Sequence, residues 1–477
     1  MGKIHKEIEM ETVKVKINDR DYMVGKNSTI LEACKNAHID IPSLCYMKGI
    51  AEEGGCGLCI VEIKGQRLLK RACITKVTEG MQIYTNTEKV RQARKMNLAL
   101  LLSNHKIECP ICDGYLNCEL RKISERIALR EAPFDSIQPD DSEIVLFNDG
   151  KLKLDNSKCI LCQRCVNLCG KILGAGVMAV LNRAVKTKVG VIEPDKCIGC
   201  GQCYILCPTG AIQESSTHFE LSRYREIAID TECFKSLSFD KNTEKKFITA
   251  LKELGFEKIY SFNELWSLCV DKTVEEIKEK LLKPKKSVIT TVCPSWQKYI
   301  EIFYPEFLNI SAGFHPVKLL DKHILPVVSC FAISNVITMN QLLNFVKQQG
   351  IDIKSLPPSE YDRLYERGES FSGDEFIKKI LQKLTNSEKF NVTSVRGLNK
   401  VKEIKTISSP ILRAAVTDSL YQARILLERI KKQKSNPYQI IHVMVCPEGC
   451  SGGGGMPQKK NISGSYYGFE SRKRFSW

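Results

Sequence analysis

Two stretches of this sequence, "CILCQRCVNLC" at 159–169 and "CIGCGQCYILC" at 197–207, share one cysteine spacing, with two, two and then three residues between neighbours. Thiolates are soft ligands suited to iron–sulfur clusters and to zinc, and scattered core cysteines would not duplicate a spacing. Two further groups lie upstream. Cys45, Cys56, Cys59 and Cys73 surround the loop "EEGGCGLC", where glycine permits turns that aim thiols inward. "HKIECPICDGYLNC" then offers one imidazole and three thiols, from His105, Cys109, Cys112 and Cys118. Zinc takes the same donors. The long, unequal gaps of the first group suit a zinc ribbon poorly, whereas for the second zinc is the competing metal. Near the end, "VMVCPEGCSGGGGMP" at 443–457 places Cys446 and Cys450 ahead of four glycines. Adjacent glycines carry a conformational cost, so something bulky is expected against Gly452, Gly453, Gly454 and Gly455: a phosphate, another chain segment or a metal cluster.

The duplicated spacing is the bacterial ferredoxin pattern, in which the fourth cysteine of each repeat ligates the other repeat's cluster. It assigns Cys159, Cys162, Cys165 and Cys207 to one 4Fe–4S cluster, and Cys197, Cys200, Cys203 and Cys169 to a second. Pro208 follows the second repeat as the motif expects, and Gly170 takes that place in the first. The Cys45 group resembles a plant-type 2Fe–2S ferredoxin of the variant fused to larger redox enzymes. The His105 group resembles the His/Cys₃ 4Fe–4S site shared by iron-only hydrogenases and the large subunit of respiratory complex I.

These ligands need elements to hold them. With 477 residues, 43% of them hydrophobic and 26% charged, the chain is long enough for several domains. The fold class expected is α+β and multidomain. Residues 1–86 read as a β-grasp 2Fe–2S ferredoxin, with a hairpin around Asn18-Asp19, a helix capped by Ser28, and strands in "LCIVEIKG" and "RLLKRACITKV". Residues 87–148 read as a helical His/Cys₃ module and 149–215 as the double 4Fe–4S ferredoxin. From 216 to 477, charged helical stretches alternate with the apolar runs "SVITTVC", "HILPVVSC" and "QIIHVMVC", the pattern of a two-lobed α/β domain. Each run ends in a cysteine, so Cys293, Cys330 and Cys446 are expected at strand ends around one cleft, where α/β sheets usually bind ligands. Cys450 adds a fourth thiol, enough for another 4Fe–4S cluster, and the glycine backbone would give it room and amide donors. A phosphate loop is disfavoured because no lysine and hydroxyl follow the glycines. Cys34, Cys233 and Cys269 fall outside these motifs and read as buried structural thiols.

Composition excludes other classes. The formal net charge is +16, yet the lysines are spread along the chain without a nucleic-acid-binding motif, so no nucleic-acid partner is expected. No apolar run is long enough to span a membrane. The N-terminus "MGKIHKEIEMETVKVK" has no secretory core, and 22 cysteines without one indicate a reducing compartment. The cytoplasm or a hydrogenosome-like organelle is expected.

Taken together, the motifs resemble the iron-only (FeFe) hydrogenase family over most of the chain. "MVCPEGCSGGGGMP" is similar to the family's third signature, including Met444, which in relatives packs against the diiron unit. "TVCPSWQKYIEIFYPE" is similar to the first, with Cys293 at the ligand position. The resemblance implies a catalytic H-cluster, a 4Fe–4S cube joined through one cysteine sulfur to a diiron unit carrying CO and cyanide. Cys450 would be the bridging thiolate, with Cys293, Cys330 and Cys446 completing the cube and Gly452–Gly455 beside the diiron half. The cofactors implied are one 2Fe–2S cluster, three accessory 4Fe–4S clusters and the H-cluster. The partners implied are a ferredoxin or flavoprotein electron donor, a flavin- or NADH-linked subunit, and the hydrogenase maturation proteins.

The chain departs from the family at defined positions. Val292 stands where active relatives carry a proton-relay cysteine, and valine cannot exchange a proton. In "VSCFAISN" the family's proline and lysine are replaced by Ser329 and Ile333. Acidic proton-path residues match only loosely, at Asp271 and Glu275, and the catalytic domain reads as shortened against the family. The expected function is reversible proton reduction to hydrogen with electrons passed along the clusters. The alternative is a non-catalytic electron-transfer subunit, or a redox or hydrogen sensor, that has lost the relay.

Overall fold

The computed structural model describes residues 11–112, 114–115, 117–129, 134, 144–215, 221–237, 239–281, 287–362, 373–395, 398–432 and 437–456. Pro457, the last residue of the glycine-loop signature, lies outside them. Strand Thr12–Ile17 pairs antiparallel with Arg20–Gly25 and parallel with Gln82–Tyr84, and the five-stranded sheet continues through Ile60–Ile63 to Lys70–Arg71. Asn18 and Asp19 both have positive φ, 48° and 66°, as a two-residue type I′ hairpin turn requires. The helix Ile30–Asn36 is capped by Thr29 rather than Ser28. The Thr29 hydroxyl accepts from the Glu32 amide while the Glu32 carboxylate accepts from the Thr29 amide. Ser28 is committed to the preceding turn, donating its amide to the Gly25 carbonyl. The strand expected across Arg67–Val77 shrinks to Lys70–Arg71 because the chain then turns, with the Ile74 and Thr75 amides both donating to the Arg71 carbonyl.

Helix Glu88–Ser103 follows, capped by Thr87. Its Arg94 is buried and donates to the Leu58 carbonyl at 3.0 Å and the Ile60 carbonyl at 2.8 Å, while Asn97 donates to the Gly57 carbonyl at 2.8 Å. The helix therefore clamps the loop between Cys56 and Cys59. Gly57 has φ +67°, and a Cβ there would stand 2.7 Å from Asn97 Nδ2, so both its conformation and its neighbour call for glycine.

Beyond it, strands Ile144–Phe147, Leu152–Asp155 and Ile212–Glu214 form an antiparallel sheet beside the hairpin Met178–Leu181/Lys188–Val191. The C-terminal part contains two sheets. One has four parallel strands in the order Lys258–Ser261, Glu226–Ile229, Ile324–Val328, Ile337–Thr338. The other has six, in the order Ser311–Ala312, Val288–Thr290, Ile440–Val443, Arg413–Thr417, Val401–Thr406, Phe390–Ser394, with the first four parallel. The central strands "VIT", "ILPVV" and "IIHV" are buried at every position, which is why they read as unbroken apolar runs. Among the described residues, no helix is long and apolar enough to cross a membrane.

Candidate metal centres

Cys45 and Cys56 lie with their sulfurs 3.4 Å apart, and Cys59 and Cys73 with theirs 3.2 Å apart. Two pairs of thiols suit two irons. Each pair shares a proton, and that sharing holds Cys56 down to about 5 and lowers Cys59. Among the described residues, no three His, Cys, Asp or Glu side chains converge as ligands of a single ion would. The thiolates of a four-iron cluster each hold a different iron, so such a cluster asks for thiols ranged around a volume instead.

Cys118 has Cys109 and Cys112 as electrostatic neighbours. His105 is half-buried beside Lys158, and its buried Nδ1 has no hydrogen-bond partner. An orphaned buried ring nitrogen in the same segment as three thiols is a donor set that fits a metal. Burial pushes its pKa down, favouring the neutral imidazole that ligates.

In the duplicated region the structure brings Cys165 together with Cys159, Cys162 and Cys207. It brings Cys203 together with Cys200, Cys197 and Cys169. The fourth cysteine of each repeat thus sits with the other repeat's first three. Cys165 also has Cys203 as a neighbour, so the two sets adjoin. Burial pushes Cys159 and Cys162 up to about 12, and cluster insertion there would release protons. The surrounding modules dock on these loops. Glu53, next to the first thiol loop, accepts from Asn167 and Lys171 at 3.0 Å each. Glu119, next to Cys118, holds the buried Arg164 through two hydrogen bonds of 2.8 and 3.0 Å.

In the C-terminal part each of three cysteines follows the end of a parallel strand: Cys293 after Val288–Thr290, Cys330 after Ile324–Val328, Cys446 after Ile440–Val443. The first and third come from the six-stranded sheet and the second from the four-stranded one, so the thiols meet where the sheets meet. Cys446 has Cys293 and Cys330 as neighbours, and so has Cys450 in the turn Gly449–Gly452. Burial pushes Cys293 up to about 12 and raises the other three. Cys293 and Cys446 are buried and Cys330 and Cys450 half-buried, and four such thiols, with the Lys151 ammonium near Cys330, form a site whose chemistry fits an iron cluster. Met444 is buried, and its Cε lies 3.6 Å from where a Cβ on Gly449 would stand, so its side chain faces the Cys450 turn.

The glycines do something other than leave a void. A Cβ on Gly453 would stand 2.3 Å from the Ser329 carbonyl oxygen, one on Gly454 2.4 Å from the Gly201 Cα, and one on Gly455 2.8 Å from the Thr338 side chain. The bulky object against these three is polypeptide, namely the Cys330 loop, the second cysteine repeat and Thr338. Of the three occupants expected against the glycines, another chain segment is therefore the one seen on the side a Cβ would take at Gly453, Gly454 and Gly455.

Several residues of this junction carry no sequence signal. Phe331 is buried in the core that holds Leu154, Cys165 and Ile212. The Lys151 ammonium donates to the Phe331 and Ile333 carbonyls at 3.0 and 2.9 Å and has Cys330 and Cys197 as electrostatic neighbours. Cys233, read from sequence as merely structural, is fully buried near Cys450 and Asp230. Cys34 and Cys269 are buried beside Arg94 and Lys272 respectively, and Cys34 packs in the same core as Cys59 and Cys73. Val292 and Ile333 line a cavity of about 270 Å³ that also touches Cys293 and His315.

Comparison with known proteins finds matches along much of the chain. Residues 228–314 and 327–454 match the family described as iron only hydrogenase large subunit, C-terminal domain. Residues 10–88 match a 2Fe-2S iron-sulfur cluster binding domain, 94–133 the NADH-ubiquinone oxidoreductase-G iron-sulfur binding region, and 191–213 a 4Fe-4S binding domain. The C-terminal part of the chain therefore carries a match to the iron-only hydrogenase C-terminal domain, preceded by matches to 2Fe–2S and 4Fe–4S binding domains. It is 28% identical to the NADP-reducing hydrogenase subunit HndD of Solidesulfovibrio fructosivorans, over 94% of this chain and 89% of that protein. It is 27% identical to iron hydrogenase 1 of Clostridium pasteurianum, over 92% and 88%. Among solved structures, FeFe-hydrogenase HydA1 from Chlamydomonas reinhardtii covers 49% of this chain and 80% of its own at 18% identity and TM-score 0.41. The chain is a hydrogenase-like iron–sulfur oxidoreductase with 2Fe–2S and 4Fe–4S binding domains and an H-cluster domain.

Proposed function

We propose that this chain carries electrons along one 2Fe–2S and three 4Fe–4S clusters to an H-cluster held by Cys293, Cys330, Cys446 and Cys450, where protons are reversibly reduced to hydrogen. The observation that carries the reading is the meeting of these four thiols from three separate segments, with Cys200 of the second ferredoxin repeat an immediate neighbour of Cys446. Ligands drawn from two sheets have no reason to converge without a metal to hold. The modules would be a β-grasp 2Fe–2S unit at 1–86, a His/Cys₃ unit at 87–148, a double ferredoxin at 149–215 and the two-lobed catalytic unit at 216–477. When bound, the diiron unit supplies the metal at which protons and electrons combine. The protein's part is to fix orientation, polarity and proton access. Cys450 would bridge the cube to that unit, and Met444 would pack against it. Relatives named as subunits of NADP-reducing hydrogenase and NADPH-Fe(3+) oxidoreductase support a flavin- or nicotinamide-linked partner subunit, with a ferredoxin as the other candidate donor. Loading of the diiron unit would call on hydrogenase maturation proteins.

A second reading is favoured by the cavity at Val292 and Ile333. Two apolar side chains stand there in place of the family's relay cysteine and lysine, which suits a chain that kept its electron wire and gave up turnover. The test is hydrogen evolution from reduced methyl viologen by protein matured anaerobically. Turnover above that of unmatured protein is expected. A fully iron-loaded protein without turnover would support the electron-transfer reading instead.

A further inference from the structure

Gln202 lies between Cys200 and Cys203 in the second ferredoxin repeat and is fully buried. A buried amide is costly unless its hydrogen bonds are made, and this one makes them outside its own module. Its Nε2 donates to the Gly452 carbonyl at 2.8 Å, and the same side chain hydrogen-bonds the Cys446 sulfur. An amide nitrogen has two N–H groups, so one nitrogen can serve both. The backbone around it leaves no room for slippage. A Cβ on Gly454 would meet the Cys200 carbonyl oxygen at 2.5 Å, and one on Gly201 would meet the Phe331 ring at 2.3 Å.

We propose that Gln202 is a positioning residue that couples the last accessory cluster to the cluster held by Cys293, Cys330, Cys446 and Cys450, and that its N–H to the Cys446 sulfur raises the reduction potential of that cluster. The inference rests on those four thiols being ligands. Hydrogen bonds to cluster sulfurs are one of the levers that set reduction potential, and a donor stabilises the more negative, reduced form. The accessory motif would thereby tune its own electron acceptor, making the downstream cluster easier to reduce from the upstream one.

The experiment is a redox titration, monitored by electron paramagnetic resonance, of the anaerobically prepared full chain and of Gln202→Met and Gln202→Leu, which keep bulk and remove both donors. The expected result is a lower midpoint potential for the Cys446-held cluster in either variant, with the Cys45 and His105 clusters unmoved. An unchanged potential in a loaded variant overturns the proposal. So does loss of the cluster from both variants while the accessory clusters load, because that makes the side chain a structural prop. Absence of the cluster from the unsubstituted protein would instead overturn the ligand assignment on which the inference stands.

Discussion

Val292 is 5% exposed and adjoins Cys293 on the wall of the cavity that also holds Ile333. A cysteine at that position would place an ionisable thiol where valine offers none. A positioned acid or base is typically worth about 10²–10⁴-fold, so Val292→Cys should raise hydrogen evolution by on the order of 10²-fold in protein carrying the diiron unit, measured with reduced methyl viologen. No rise would mean that proton delivery at Val292 is not what limits the chain. The residues that sequence reading misses share one property: their partners are remote in the chain. Cys233, Cys34 and Cys269 look alike as isolated cysteines, and only folding distinguishes the one beside Cys450 from the other two. Lys151 and Phe331 are equally silent, since the hydrogen bond between them spans 180 residues of sequence.

At the scale of elements, the sequence is most legible where a local rule decides. The Asn18-Asp19 turn, the helix Glu88–Ser103 and the strand-end cysteines all follow from short patterns. The cap at Thr29 is missed because Ser28 offers the same chemistry one residue earlier, and the choice depends on which amide the Gly25 turn uses. The glycine loop is harder, since its chemistry reads as space for a ligand while its real neighbours are backbone from two other segments. Gly454→Ala tests this. Its Cβ would meet Gly201 Cα at 2.4 Å, a backbone atom that cannot swing aside, so a loss of about 1–3 kcal/mol is expected from overpacking. Gly170→Ala, with nothing within 4 Å of the new Cβ, should stay within about 0.5 kcal/mol. Thermal unfolding compares the two, and equal melting temperatures would contradict the packing account.

At the scale of the whole molecule, the region of the duplicated cysteine spacing is the hub. The 2Fe–2S loop reaches it through Glu53, the His105 module through Glu119, and the C-terminal sheets through Phe331, Gly454 and Gln202. The six-stranded sheet carries a further pH-dependent stability. His442 is fully buried, with Nδ1 3.0 Å from the Thr290 hydroxyl, and burial pushes its pKa down to about 4. The unfolded imidazole takes a proton near pH ~6.5, so between there and about 4 the unfolded chain binds more protons than the fold. Stability is therefore full above that window and falls as pH drops through it, by on the order of 3 kcal/mol. His442→Asn should flatten that fall in calorimetric unfolding, and an unchanged slope would place the acid sensitivity elsewhere. The central claim is that the four C-terminal thiols hold a cube joined to a diiron unit. The most direct measurement is infrared spectroscopy of the chain produced anaerobically with the hydrogenase maturation proteins, since metal-bound CO and cyanide absorb where no protein group does. The account predicts those bands, and their loss in Cys450→Ala. Iron sufficient for the accessory clusters with no CO or cyanide band would contradict it.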